Sequence, residues 1–227
     1  MSLNDKEALL ARLPEVCALI QVSEHSDWHN DDVLQQSLRL VEFVAGLSVS
    51  LLGAIGSPET SLHTELLHIV DGAHGIYTAQ DLLTFAALIH DVGKAETYQL
   101  QPDGTTRCLG HEAVSALLAP TLCARFDFTP QETDFIVRLV TGHGEPYALF
   151  KRIVALTELE REEHLRRFEE DWGDDLLFLL LLAYGDLVTS HLASRRPEKH
   201  QAILSFYQAW LQKALSHPSS RPPNAQG

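Results

Sequence analysis

The run LLFLLLLAY at positions 176–184 limits what this chain can fold into more than any other feature. It has no polar face, so a helix made from it must be surrounded by protein on every side. A membrane span takes about 20 such residues, so the run belongs at the centre of a helical bundle. It continues directly into GDLVTS, which puts Asp186 on the same helix. A carboxylate in an apolar frame needs a partner, because charges are rarely buried alone.

The remaining segments fit such a bundle. DVLQQSLRLVEFVAGL carries leucine and valine at three- and four-residue spacing, which predicts an amphipathic helix. Thr78 with Asp81, and Thr129 with Pro130 and Glu132, are helix-start signatures. Pro120 is expected to kink or end the helix that begins near His111. TYQLQPDGTTRCL alternates around Pro102-Asp103-Gly104 and predicts a hairpin. The 227 residues, 45% of them hydrophobic, suffice for a substantial core. The chain therefore reads as an all-α bundle with a small β-hairpin near 97–108. One domain is expected over 1–215, with a Pro- and Ser-rich disordered tail over 216–227. Three widely spaced cysteines and no leader segment predict a cytoplasmic setting. The net charge of −14 speaks against autonomous nucleic-acid binding. A small phosphorylated substrate remains accessible to an acidic chain if a bound cation supplies positive charge.

FAALIHDVGK, residues 85–94, places His90 and Asp91 at the end of an apolar helix, with a break at Gly93 and Lys94 beyond it. Burying that pair without partners is costly, and a divalent metal accepts both residue types as ligands. His111 begins the next predicted helix in GHE, and His143 ends the following one in TGHGE. With Asp186 they point to one polar cavity lined by helix ends. The other histidines lack this framing. His25, His29, His74 and His191 read as unlikely ligands, and His164, His200 and His217 as solvated.

The stretches WHNDDVLQQSLRLVEFV, FAALIHDVGKAETYQLQPDGTTRCLGHEAVSALLA and VRLVTGHGEPY together resemble the HD superfamily of metal-dependent phosphohydrolases. The likeness covers roughly 28–194 and is greatest to the HD domain of bacterial tRNA nucleotidyltransferases and poly(A) polymerases. The paired carboxylates of a nucleotidyltransferase head are not seen, so a free-standing HD domain is expected. GAIGS (53–57) reads as a helix end and loop.

The resemblance implies one or two divalent ions (Mn, Fe, Co, Ni, Zn or Mg), held by His90, Asp91 and Asp186 and by His111 and His143, with Asp91 bridging. It also implies hydrolysis of a phosphomonoester or phosphodiester, with a nucleotide as the expected substrate. Asp91 and Lys94 take the catalytic roles, Lys94 neutralising a phosphate oxygen; Lys94 reads equally as a cation at a helix end. Lys94, Glu112 and Gln36 are the substrate-side candidates. At position 36 the family has a histidine ligand and this chain has glutamine, a weaker donor. His63 is the candidate to replace it. The alternative, which Gln36 favours, is a catalytically silent HD-fold binding or regulatory module.

Overall fold

The computed structural model describes residues 10–29, 32–47 and 69–216. The elements run α1 (Pro14–Cys17), α2 (Val33–Ala45), a short hairpin of β1 (Ala73–His74) and β2 (Tyr77–Thr78), then α3 (Ala79–Ile89) and α4 (Lys94–Thr97). The second hairpin, β3 (Tyr98–Leu100) with β4 (Thr106–Cys108), leads into α5 (His111–Cys123), α6 (Pro130–Gly142), α7 (Glu145–Ile153) and α8 (Glu158–Trp172). The chain closes with α9 (Leu176–Thr189), α10 (Leu192–Arg195) and α11 (Pro197–Ser216). The fold is the expected helical bundle. Among the described residues no helix is long and apolar enough to cross a membrane. His63, GAIGS and the tail from 217 onward lie outside the described residues.

The apolar run forms α9 and occupies the middle of the bundle. Leu179 to Leu182 are fully buried, and α9 packs against α11, α2, α7, α6 and α3. Each such leucine contributes about 1.5–3 kcal/mol of burial. The predicted starts of α3 and α6 are capping boxes, Thr78 with Asp81 and Thr129 with Glu132.

Three local features differ from the sequence expectation. The sequence SPETSLHTELLHIVDGAHG reads as a helix stopped by Gly75, and the β1–β2 hairpin instead turns at that glycine. Its anchor is the buried Glu132, whose carboxylate accepts from the backbone N–H groups of Ile76 and Tyr77. Pro120 neither kinks nor ends α5, which runs on to Cys123; so near a helix end, one missing N–H removes little of the ladder. Gly93, expected to release the helix, has an ordinary φ of −67°. Its role is close approach: a Cβ there would lie 2.4 Å from His111 O and 2.6 Å from Ser115 N. The N-terminal turn of α5 therefore rests directly on the chain that follows Asp91.

A second close approach builds the other side of the site. A Cβ on Gly185 would meet Leu40 Cδ1 at 2.6 Å and Phe43 Cδ1 at 2.7 Å. Glycine beside Asp186 lets α2 lie tight against α9. The two glycines differ in what opposes a methyl group, backbone at Gly93 and movable side-chain ends at Gly185. Gly93→Ala is expected to cost about 2–3 kcal/mol and Gly185→Ala about 1–2 kcal/mol. Urea denaturation midpoints check the order, and equal losses contradict this account.

Candidate metal centre

Three helix ends deliver imidazoles to one carboxylate. His90 caps the end of α3, His111 opens α5, and His143 caps the end of α6. Asp91 follows His90 and is buried with it. Asp91 Oδ1 lies 3.0 Å from His111 Nε2 and 3.6 Å from His143 Nε2, while its Oδ2 lies 3.2 Å from His90 Nε2. Asp186 reaches in from α9, its Oδ1 4.0 Å from His90 Nε2. Five of the six ligand candidates read from the sequence come together here, and the sixth, His63, lies outside the described residues.

The rings share one orientation device. The Nδ1 atoms of His90, His111 and His143 lie 2.8, 2.8 and 2.7 Å from the carbonyls of Ala87, Cys108 and Val140, each three residues back. A carbonyl only accepts, so in each neutral ring Nδ1 carries the proton and Nε2 presents a lone pair. Those lone pairs face carboxylate oxygens, which are also acceptors. His90 Nε2 and Asp91 Oδ1 are buried without a hydrogen-bond donor. Acceptor facing acceptor in a buried site is unfavourable unless a proton or a cation lies between. His90, Asp91 and His143 place one ligand atom each within 4.8 Å of one another. Two ligands opposed across a first-row ion, at about 2.0–2.3 Å each, approach that separation. The donor set fits a divalent ion.

The charges agree. Asp91, Asp186, Glu24 and Glu112 line a cavity of about 240 Å³, against one buried ammonium, Lys94, and the rim guanidinium of Arg107. Lys94 Nζ sits 2.8 Å from Asp91 Oδ2 and 2.7 Å from Glu24 Oε2. Burial works against its charge, and the two carboxylates outweigh burial and raise its pKa. Burial likewise opposes ionisation of Asp91, yet His90, Lys94 and the other imidazoles hold its pKa well below the usual range.

The structure modifies two of the three substrate-side expectations. Lys94 is not a cation waiting beyond a helix break, because its charge is already shared between Asp91 and Glu24. Gln36 is fully buried behind the site, where its Nε2 donates to Asp186 Oδ1. Its Oε1 has no hydrogen-bond partner. Gln36 thus touches the site through a ligand candidate and is no part of the cavity lining. Glu112 lines the cavity, with Oε2 3.3 Å from His111 Nδ1.

Sequence reasoning missed one wall altogether. The segment after Val22 folds back on itself, with a Ser23–Asp32 bridge and a 3.0 Å bond from Val33 N to Val22 O. It supplies Glu24, Ser26, Trp28 and His29 to the cavity. Thr106 on β4, His191 and Arg195 pin it through backbone bonds at His25, Trp28 and Ser26. A polar run with no periodicity offered little signal; WH beside a charged turn was the visible one.

Comparison with known proteins finds relatives of this chain. The HD domain family matches residues 44–168, more than half of the chain. The span contains His90, Asp91, His111 and His143 and stops short of Asp186. A multifunctional CCA protein of Dechloromonas aromatica is 30% identical over 169 residues, 74% of this chain and 33% of that protein. A multifunctional CCA protein of Paraburkholderia phymatum is 28% identical over 170 residues, 73% of this chain and 32% of that one. The chain spans about a third of the length of these curated relatives.

The electrostatics predict a pH response of the metal-free protein. Burial lowers the pKa of His90 and of His111, but Asp91 outweighs it and both end above 6.5. Protonation of these groups therefore favours the folded state. That stability is fully present below the unfolded value near 6.5 and is lost as pH rises through the higher folded values. After chelation, the urea midpoint is expected to fall from pH 6.5 upward, and added Mn²⁺ is expected to restore it. A midpoint that rises over this range contradicts the assignment.

Proposed function

The chain belongs to the HD-domain family, and from that premise we propose that it is a divalent-metal-dependent phosphohydrolase acting on a nucleotide phosphoester. One observation carries the reading: three Nδ1-anchored imidazoles aim Nε2 lone pairs at the same buried carboxylate. His90, Asp91 and His143 are the ligands for one ion. His111 and Asp186 extend the set toward a second. Imidazole with carboxylate suits Mn, Fe, Co, Ni or Zn better than Mg. A divalent ion in this setting polarises a phosphoryl oxygen and lowers the pKa of water.

The chain's own residues do the rest. The Nδ1 anchors fix ring direction before any ligand arrives, so little reorganisation is needed. Lys94 and Glu24 hold Asp91 in place. The cavity has an aromatic wall, Trp28 edge-on to Tyr147 at 4.9 Å between centroids. Such a surface supports a base by stacking, worth about 1–3 kcal/mol. Lys199 lies 5.8 Å over Trp28 and 5.4 Å over Tyr147, a cation beside that wall. This pairing of aromatic and cationic groups supports a nucleotide over a simple phosphate ester.

Metal analysis of protein purified without chelator, with a hydrolysis screen over nucleotides and cyclic nucleotides, tests the reading. Bound transition metal and activity lost on chelation are expected. Asp91→Asn is expected to lower the rate about a thousandfold, roughly 4 kcal/mol of barrier. Metal-independent activity, or none with any metal, overturns it.

The bond from Gln36 to Asp186 favours a second reading, a module that keeps the fold and is catalytically silent. It ties up the Asp186 oxygen nearest His90 with an amide in place of a ligand. Gln36→His is expected to tighten Mn²⁺ binding about tenfold or more, the scale on which a ligand's immediate supports matter. If His63 fills the gap, Gln36→His leaves the affinity unchanged and His63→Ala empties the site. Metal titration after chelation distinguishes these cases.

A further inference from the structure

His29 stands apart from the other imidazoles of the cavity. The residue is 6% exposed and lines the cavity wall. Where His90, His111 and His143 each spend Nδ1 on a backbone carbonyl, Nδ1 of His29 is buried with no hydrogen-bond partner. His29 also lies outside the group whose ligand atoms cluster within 4.8 Å. Nor is it one of the three imidazoles whose Nε2 comes within 3.6 Å of an Asp91 oxygen.

Its position is nonetheless fixed. Ser26 Oγ accepts from the backbone N–H of His29 at 3.1 Å, and Ser26 N donates to His29 O at 3.0 Å. The neighbouring Trp28 carbonyl is held by His191 N at 2.7 Å. The backbone that carries the ring is thus held by a closed turn, and no carbonyl ties the ring proton to Nδ1. An imidazole so placed costs about 1–3 kcal/mol if its polar atoms stay unmet. Burial, and secondarily the Lys94 ammonium, keep it neutral against the opposing charges of Asp186, Glu24 and Asp91. A neutral imidazole offers one N–H and one lone pair.

We propose that His29 is a substrate-binding residue that donates a hydrogen bond to a phosphoryl oxygen of the ester in this cavity. The cavity supplies mostly carboxylates and lone pairs, so an anionic phosphoryl group needs N–H donors in addition to the cation. His29 is a buried, neutral, immobilised donor of that kind. The inference rests on the metal-dependent phosphohydrolase reading and adds to it the group that meets the substrate.

The test uses the full chain, chelated and reloaded with Mn²⁺, with inorganic phosphate as the probe. Calorimetry gives the Mn²⁺ affinity first and the phosphate affinity of the loaded protein second. His29→Ala is expected to leave Mn²⁺ affinity within about twofold and to weaken phosphate about tenfold or more. His29→Leu, which conserves volume without a polar atom, is expected to do the same and carries the test if the alanine variant does not fold. His29→Gln retains an N–H donor and is expected to recover most of the phosphate affinity. Unchanged phosphate affinity in the alanine and leucine variants overturns the proposal and leaves the ring to an ordered water. Loss of Mn²⁺ affinity together with phosphate also overturns it and makes His29 an ion ligand. A wild-type protein that binds no Mn²⁺ sinks the metal reading itself, and this proposal with it.

Discussion

The Asp91 carboxylate is the group on which the rest of the site depends. It is buried, and burial alone would push it toward the neutral form. What keeps it ionised without a metal is the positive charge around it: the ammonium of Lys94 and the imidazoles of three helix ends when they carry a second proton. Each comes from a different element, so the carboxylate ties α3, α4, α5 and α6 at one point. Gly93 makes this geometry available, because the turn of α5 that bears His111 lies against backbone at that position.

The same arrangement explains why the centre suits a cation better than an anion. The imidazoles have spent their donor nitrogens on backbone carbonyls, and what remains is lone pairs facing carboxylate oxygens. Without a proton or an ion the electrostatics oppose one another. A divalent ion there would be held by His90, Asp91 and His143, whose ligand atoms lie within 4.8 Å of one another. Gln36 fits into this picture as a support. Gly185 lets α2 come close enough for the amide to reach Asp186, and the amide donates to that carboxylate.

The cavity wall formed by Glu24, Ser26, Trp28 and His29 shows how function sits on a segment with little regular structure. Its backbone is fastened at His25, Ser26 and Trp28, by bonds to β4, to Arg195 of α10 and to His191 just before that helix. That fastening allows a polar loop to present a fixed aromatic edge and a fixed imidazole beside the helical site. A loop that moved freely would offer neither.

Much of this was legible in the chain itself. An apolar run with no polar face had to form a central helix, and α9 is that helix. Capping boxes at Thr78 and Thr129 announced α3 and α6, and the positions of His90, His111 and His143 at helix ends followed from the breaks beside them. Helix periodicity and capping are local, so they survive in one dimension. What only the tertiary structure decided was pairing at a distance. Lys94 could be read as a free cation until Glu24, seventy residues earlier, was found against it. Gln36 could be read as a substrate contact until α2 turned it onto Asp186, 150 residues away. His29 had no apolar framing in sequence, and its burial comes from a loop folding over helices remote in the chain. Burial and charge pairing depend on which surfaces meet, and that is settled only when the bundle closes.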